Sequence, residues 1–255
     1  MIGICTLSII PLRKEPAETN EMVTQLLFGE TYQVLETTDN WMKIKLYADG
    51  YEGWINNKMF DNLDEPDFTR INNQINNIFY DISGFVYFHD KKIPILLGSS
   101  LSVVNNRHFK LGKKDFLIDD HLKIKSNFNN KTIIPDALRY LNAPYLWGGR
   151  TPFGIDCSGL VQVVFKLNNI KLPRDASQQA NIGEEVEFAG CRETDLAFFC
   201  NKEGRIIHVG IILENSRIIH ASGKVRIDKI DLTGIFNEET GLYSHQLHSI
   251  KRIKF

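Results

Sequence analysis

Asp156-Cys157-Ser158-Gly159-Leu160-Val161-Gln162-Val163-Val164-Phe165-Lys166-Leu167 puts a thiol at the head of an apolar run. Leu160, Val161, Val164 and Leu167 recur at three- and four-residue intervals, which predicts one face of an amphipathic helix. Cys157 stands at its beginning, where Asp156 or Ser158 can cap and free backbone N–H groups can face a developing oxyanion. A thiol is a poor nucleophile until ionised, and the positive end of a helix and a nearby imidazole are two things that ionise it. A cysteine buried for packing does not call for a polar, glycine-flanked helix start.

Upstream, Pro135-Asp136-Ala137-Leu138-Arg139-Tyr140-Leu141 reads as a helix with proline in its first turn. Downstream, residues 195–199, 206–213, 217–220, 225–230 and 249–255 read as strands. A leading helical group followed by antiparallel strands predicts an α+β domain over residues 131–255. His208 falls in the second of these strands and His220 ends the third. A tight turn near Glu214-Asn215-Ser216, centred between 214 and 215, sets His208 opposite residue 221 and close to His220. The second imidazole then orients the first, completing a set of nucleophile, base and orienter. His89, His108, His121, His245 and His248 have no comparable context.

Residues 1–63 alternate short β-type runs with turn signals, among them Trp41-Met42-Lys43-Ile44-Lys45-Leu46 and Asp49-Gly50, and predict a small β-barrel. Residues 61–77 are polar and contain Pro66, as expected of a connection with one helical turn. Further β-type runs at 84–88, 93–97, 101–104 and 116–118 predict a second small barrel, within a part spanning 64–130.

The 255 residues include 30 basic and 31 acidic side chains, a formal charge of −1, so nothing draws the chain generally to nucleic acid or anionic lipid. Lys110, Lys113, Lys114, Lys123, Lys125 and Lys131 are interrupted by acids and glycine and read as a solvated face. Cys5, Cys157, Cys191 and Cys200 form neither a C-x-x-C pair nor a zinc pattern, so no metal, cofactor or disulfide framework is expected. Residues 1–10 are apolar but lack a basic leader, and no stretch has the length of a membrane span. The expectation is a soluble, cytoplasmic monomer, or an exported protein if a leader preceded this sequence.

Tyr145-Leu146-Trp147-Gly148-Gly149-Arg150-Thr151-Pro152-Phe153-Gly154-Ile155-Asp156-Cys157-Ser158-Gly159-Leu160 resembles the signature of the NlpC/p60 family of papain-like cysteine peptidases. Leu172-Pro173-Arg174-Asp175-Ala176-Ser177-Gln178-Gln179, Asp195-Leu196-Ala197-Phe198-Phe199, His208-Val209-Gly210-Ile211 and His220-Ala221-Ser222-Gly223 agree with it in order. Thr194 departs from the glycine common before that aspartate. The front of the chain resembles bacterial SH3-like barrels, and two of them before such a peptidase resemble endopeptidases of peptidoglycan recycling.

The resemblance implies a papain-like catalytic domain behind two SH3-like barrels. The implied reaction is hydrolysis of the γ-D-glutamyl to diamino-acid bond in peptidoglycan-derived peptides. It further implies Cys157 as nucleophile, His208 as base, His220 as third polar residue and Tyr145 at the oxyanion. Trp147, Asp156, Ser158, Arg174, Asp175 and Ser177 would serve the substrate cleft, although packing is an equal reading for Trp147. Glu21 and Tyr51 would bind the free amine of an N-terminal L-alanine. Their ordinary reading is a surface acid and a barrel-packing ring. Two alternatives stay open: an exported endopeptidase acting on intact wall, and a non-catalytic wall-binding protein.

Overall fold

Alternation of inward and outward residues sets the N-terminal strands. In Trp41–Leu46, Met42, Ile44 and Leu46 are buried while the residues between them are not, as a side-chain period of two requires. The computed structural model describes residues 1–73, 77–102, 104–128 and 132–254. The expectations for residues 74–76, Val103, Lys131 and Phe255, and the boundary between 130 and 131, lie outside the described residues.

Among the described residues, seven strands form one antiparallel sheet. Its order is Met22–Leu27, Ile9–Arg13, Glu52–Asn56, Trp41–Leu46, Thr31–Thr37, Ile2–Ile4 and Asn62–Leu63. The Asp49-Gly50 turn joins two of them, with Gly50 at φ 74°, a left-handed conformation that glycine adopts without steric penalty. Ile10, Leu12, Leu26, Tyr32, Ile44 and Ile55 form the centre of this part.

The connection holds more helix than expected, Glu65–Asn73, with Phe68 and Ile71 buried. The Asp64 carboxylate accepts from the Asp67 amide at 3.1 Å, and Pro66 sits in the first turn, where its missing N–H has no helical partner to lose. Beyond it, Lys91–Leu96, Ser83–Phe88, Lys114–Ile118 and His108–Leu111 form a four-stranded sheet. Ser100–Leu101, Asn77–Phe79 and Ile124–Lys125 form a three-stranded one. Ile4, Phe28 and Leu63 share one core with Phe79, Val86, Phe109 and Phe116, and Phe28 meets Phe116 edge-on at 5.4 Å. Met1–Phe128 accordingly forms one compact unit and Asn129–Phe255 another; the expected division between 63 and 64 falls inside the first.

In the second unit the helix Cys157–Lys166 is buried at every position from Cys157 to Phe165. It packs against Ile206–Leu213 and Arg217–Ser222. The antiparallel sheet runs Glu184–Glu185, Leu242–Arg252, Leu196–Cys200, Ile206–Leu213, Arg217–Ser222, Lys224–Ile230, Gly234–Asn237. Gly234–Asn237 also pairs back onto Leu242–Arg252, which closes six of these strands into a ring with Glu184–Glu185 outside it. Neither Gly234–Asn237 nor the polar first half of the last strand carries an alternation that the sequence alone reveals.

Candidate active site

The thiol is placed by a cap. Asp156 takes an extended conformation, φ −95° and ψ 177°, before the helix. Its Oδ1 accepts the Gly159 amide at 2.7 Å and its Oδ2 the Gly148 amide at 2.8 Å. One carboxylate thus caps the helix and holds the preceding glycine loop, as expected of aspartate at this position. Arg174 reaches the same carboxylate from another loop, Nη1 to Oδ1 at 3.0 Å and Nη2 to Oδ2 at 2.5 Å, and also donates to Ser158 Oγ at 2.8 Å. Asp156, Ser158 and Arg174 are all buried. Gly159 lets the loop approach: a Cβ there would lie 2.3 Å from the Gly149 carbonyl oxygen.

The imidazoles come from paired strands. Gly210 lies opposite His220 and Leu213 opposite Arg217, around a three-residue loop in which Asn215 and Ser216 have φ 57° and 52°. This differs by one residue from the expected register. The difference matters, because the expected pairing of His208 with residue 221 would turn His220 to the other face. In the observed register both imidazoles share a face, and His208 Nε2 lies 2.9 Å from His220 Nδ1. A Cβ on Gly210 would come within 2.7 Å of Ile218 Cδ1 and 3.0 Å of His220 Cβ, so glycine makes room beside the second ring.

The helix that carries the thiol packs against the strand that carries the first imidazole. The backbone of Val209, the residue after His208, is among the groups that act on the Cys157 thiol. Burial, then the Asp156 charge, pushes the thiol up to about 12, against smaller downward pulls from the Val209 and Ser158 backbone and from Arg174. Burial, reinforced by His245 and His220, holds His208 well below the usual imidazole value. Burial thus outweighs the helix terminus at the thiol and favours the neutral form of both the thiol and the His208 imidazole. Such a pair can pass the proton as the sulfur attacks.

Tyr145 is half-buried, and its amide donates to the Gly223 carbonyl at 3.0 Å. Its phenol is pushed up to about 12 by burial and by the neighbouring Cys157, so it is a neutral O–H donor near the sulfur. Trp147 is 59% exposed, which removes core packing as its explanation. Leu146 and Phe153 of the same loop are exposed as well. The Asp175 amide donates to Gln178 Oε1 at 3.2 Å at the start of the short helix Ala176–Gln179, on which Ser177 is exposed. Glu21 and Tyr51 lie in the N-terminal unit: Glu21 is exposed with its carboxylate 3.4 Å from Lys14 Nζ, and Tyr51 packs half-buried against the core of the seven-stranded sheet.

Three neighbours carry no signal in the sequence. Asp228 and Arg226 stand on the strand after His220, and His220 Nε2 lies 2.9 Å from Asp228 Oδ2. His245 arrives through the ring closure and stacks on His208. Alternation could have put Arg226 and Asp228 on one face, but only the register puts that face beside His220. Among the described residues no group of three or more His, Cys, Asp or Glu is arranged to hold a metal ion, and no helix is long and apolar enough to cross a membrane.

Residues 142–242 match the model of the NlpC/P60 family, and residues 12–59 match that of the bacterial dipeptidyl-peptidase SH3 domain. The chain is 28% identical to the γ-D-glutamyl-L-lysine dipeptidyl-peptidase of Bacillus subtilis, over 98% of this chain and 83% of that one. It is 27% identical to dipeptidyl-peptidase 6 of Lysinibacillus sphaericus, over 86% and 88%. In fold it is similar to the crystal structure of an NlpC/P60 family protein from Bacillus cereus, with a TM-score of 0.83, 18% identity and 99% of each chain covered.

Proposed function

Because the chain carries an NlpC/P60 domain behind a bacterial dipeptidyl-peptidase SH3 domain, and is on that ground a cysteine peptidase, we propose that it hydrolyses the γ-D-glutamyl to L-diamino-acid bond of cell-wall peptides bearing a free N-terminal L-alanine. Hydrolysis of cell-wall peptides is supported by relatives named γ-D-glutamyl-L-lysine dipeptidyl-peptidase. The observation that carries the reading is the buried His208–His220 pair at 2.9 Å, with the Val209 backbone acting on the Cys157 thiol.

In this reading Cys157 Sγ attacks the γ-carbonyl carbon while its proton passes to His208. The oxyanion is met by backbone N–H groups at the helix start and by the Tyr145 hydroxyl. Collapse breaks the C–N bond, the proton on His208 leaves with the diamino-acid amine, and a thioester remains. Water, deprotonated by the same imidazole, releases the acyl group and restores the thiol. Asp156 and Arg174 fix the nucleophile turn, and Ser158, Trp147, Asp175 and Ser177 serve the adjoining cleft. Glu21 and Tyr51 recognise the ammonium group, whose charge offsets desolvation of a carboxylate. The proposal places the protein in the cytoplasm as a monomer in peptidoglycan recycling, with two SH3-like barrels ahead of the peptidase.

The test is mass spectrometry of L-Ala-γ-D-Glu-L-Lys and its N-acetylated form. Cleavage of the first alone is expected, and equal turnover of both removes the free-amine specificity. Cys157→Ala is expected to abolish turnover, and hydrolysis retained in that variant removes Cys157 as nucleophile.

A further inference from the structure

Behind the two imidazoles lies a carboxylate that the proposed reaction does not use. Asp228 and His220 are 2% and 1% exposed. Arg226 donates from Nη2 to Oδ1 at 3.0 Å and stands in ion-pair contact with the other oxygen, Nε to Oδ2 at 2.7 Å. The guanidinium is itself tied down, Nη1 to Glu239 Oε2 at 3.1 Å and Nη2 to Asn237 Oδ1 at 3.2 Å. Register explains the arrangement: Arg226 is opposite His220, and Asp228, two residues on, projects to the same face. Burial alone would raise the Asp228 carboxyl, but the bonds from His220 and Arg226 outweigh it and hold it below the ordinary range.

An ionised carboxylate can only accept hydrogen bonds. His220 Nε2 must therefore donate to Asp228, and a neutral His220 has only Nδ1 left as an acceptor. That acceptor faces His208 Nε2, which must then donate. A neutral His208 consequently carries its lone pair on Nδ1.

We infer that Asp228, gripped by Arg226, is a positioning residue that sets the proton direction through His220 and leaves His208 Nδ1 as the accepting atom. The inference rests on His208 as the base of the proposed reaction. Without the carboxylate, His220 is free to take its other tautomer, and His208 then carries its proton on Nδ1, where it cannot receive one from a thiol. As His208 becomes an imidazolium during attack, the chain ends on a fixed negative charge, so part of the positive charge is met in advance.

The test uses the full chain labelled with ¹⁵N-histidine, in the Cys157→Ala background so that no turnover intrudes. Long-range ¹H–¹⁵N spectra are expected to show Nε2 protonated and Nδ1 unprotonated on both His208 and His220. A spectrum of that protein with the proton on Nδ1 of either ring overturns the inference without any variant of Asp228. Asp228→Asn is expected to mix the tautomers and, with Cys157 intact, to lower kcat about 100-fold while KM stays within about twofold. If that variant does not fold, Arg226→Gln is expected to move both readouts the same way by a smaller amount. A folded variant with reduced kcat but unchanged imidazole signals, or with both unchanged, overturns the inference. Turnover retained by His208→Ala would instead remove the base assignment while leaving the spectra as they are, so the two failures are distinguishable.

Discussion

His245 lies flat against His208, with ring centroids 4.0 Å apart and planes inclined by 21°. Its Nδ1 is 2.8 Å from Ser244 Oγ, and its own value is lowered to about 4 by burial and by His220. The ring is thus an uncharged plate at neutral pH that limits how His208 can swing. A stacked pair contributes about 0.5–1.5 kcal/mol beyond area burial. His245→Ala is expected to lower kcat by about 2- to 10-fold, and His245→Phe, which keeps a plate, to retain most of it. Equal losses in both, measured by steady-state kinetics, would mean that stacking is not the reason.

The pH profile follows from the neutral pair. His208 must be unprotonated to act as base, and its value lies well below 6.5, while the thiol sits near 12. The ratio kcat/KM is expected to stay level between about pH 7 and 9 and to fall on an acid limb below 6.5. A limb centred at or above 6.5 would contradict the buried-neutral reading.

Stability is expected to depend on acid through the same rings. Folding depresses His208 and His245, so the unfolded chain takes up protons first as pH falls. Their contribution is complete above about 6.5 and is lost progressively towards about 4 for His245. Urea midpoints at pH 7.5, 5.5 and 4.5 should therefore descend in that order.

Gly159→Ala is expected to displace the nucleophile turn. The added methyl would meet the Gly149 carbonyl at 2.3 Å, and backbone cannot rotate away as a side chain can. Overpacking of this kind costs about 1–3 kcal/mol, and kcat should fall more than the melting temperature suggests, since Cys157 is two residues away. Thermal melts together with initial rates check both.

Arg174→Met leaves the Asp156 carboxylate buried without its cation. Breaking a buried pair by removing one partner typically costs about 3–5 kcal/mol, and a urea titration is the measurement. A loss under about 1 kcal/mol would mean that water or another donor replaces the guanidinium.

Much of this architecture is legible in the residues. Leu160, Val161, Val164 and Leu167 mark the helix, Asp156 its cap, and residues 206–213 a strand, because each signal is local and periodic. Asp228, Arg226 and His245 are invisible for the opposite reason. Their relation to His208 is created by strand register and by ring closure, which join residues 20 or more positions apart or depend on which face a strand presents. The helix Glu65–Asn73 is hidden for a third reason: its apolar side is only Phe68 and Ile71 in a polar segment. The ionisation of Cys157 shows what local reasoning omits, since a helix terminus can be read from sequence whereas depth of burial cannot.

The short loop of Glu214, Asn215 and Ser216 sits on the surface and touches none of the reacting groups, yet it decides whether there is a reacting pair at all. The same strands closed by a two-residue turn would slip their pairing by one residue and point His220 away from its partner. The left-handed backbone at Asn215 and Ser216 is in that sense a selector between a working and an inert version of one hairpin. Variation that shortens it threatens the pairing on which turnover depends.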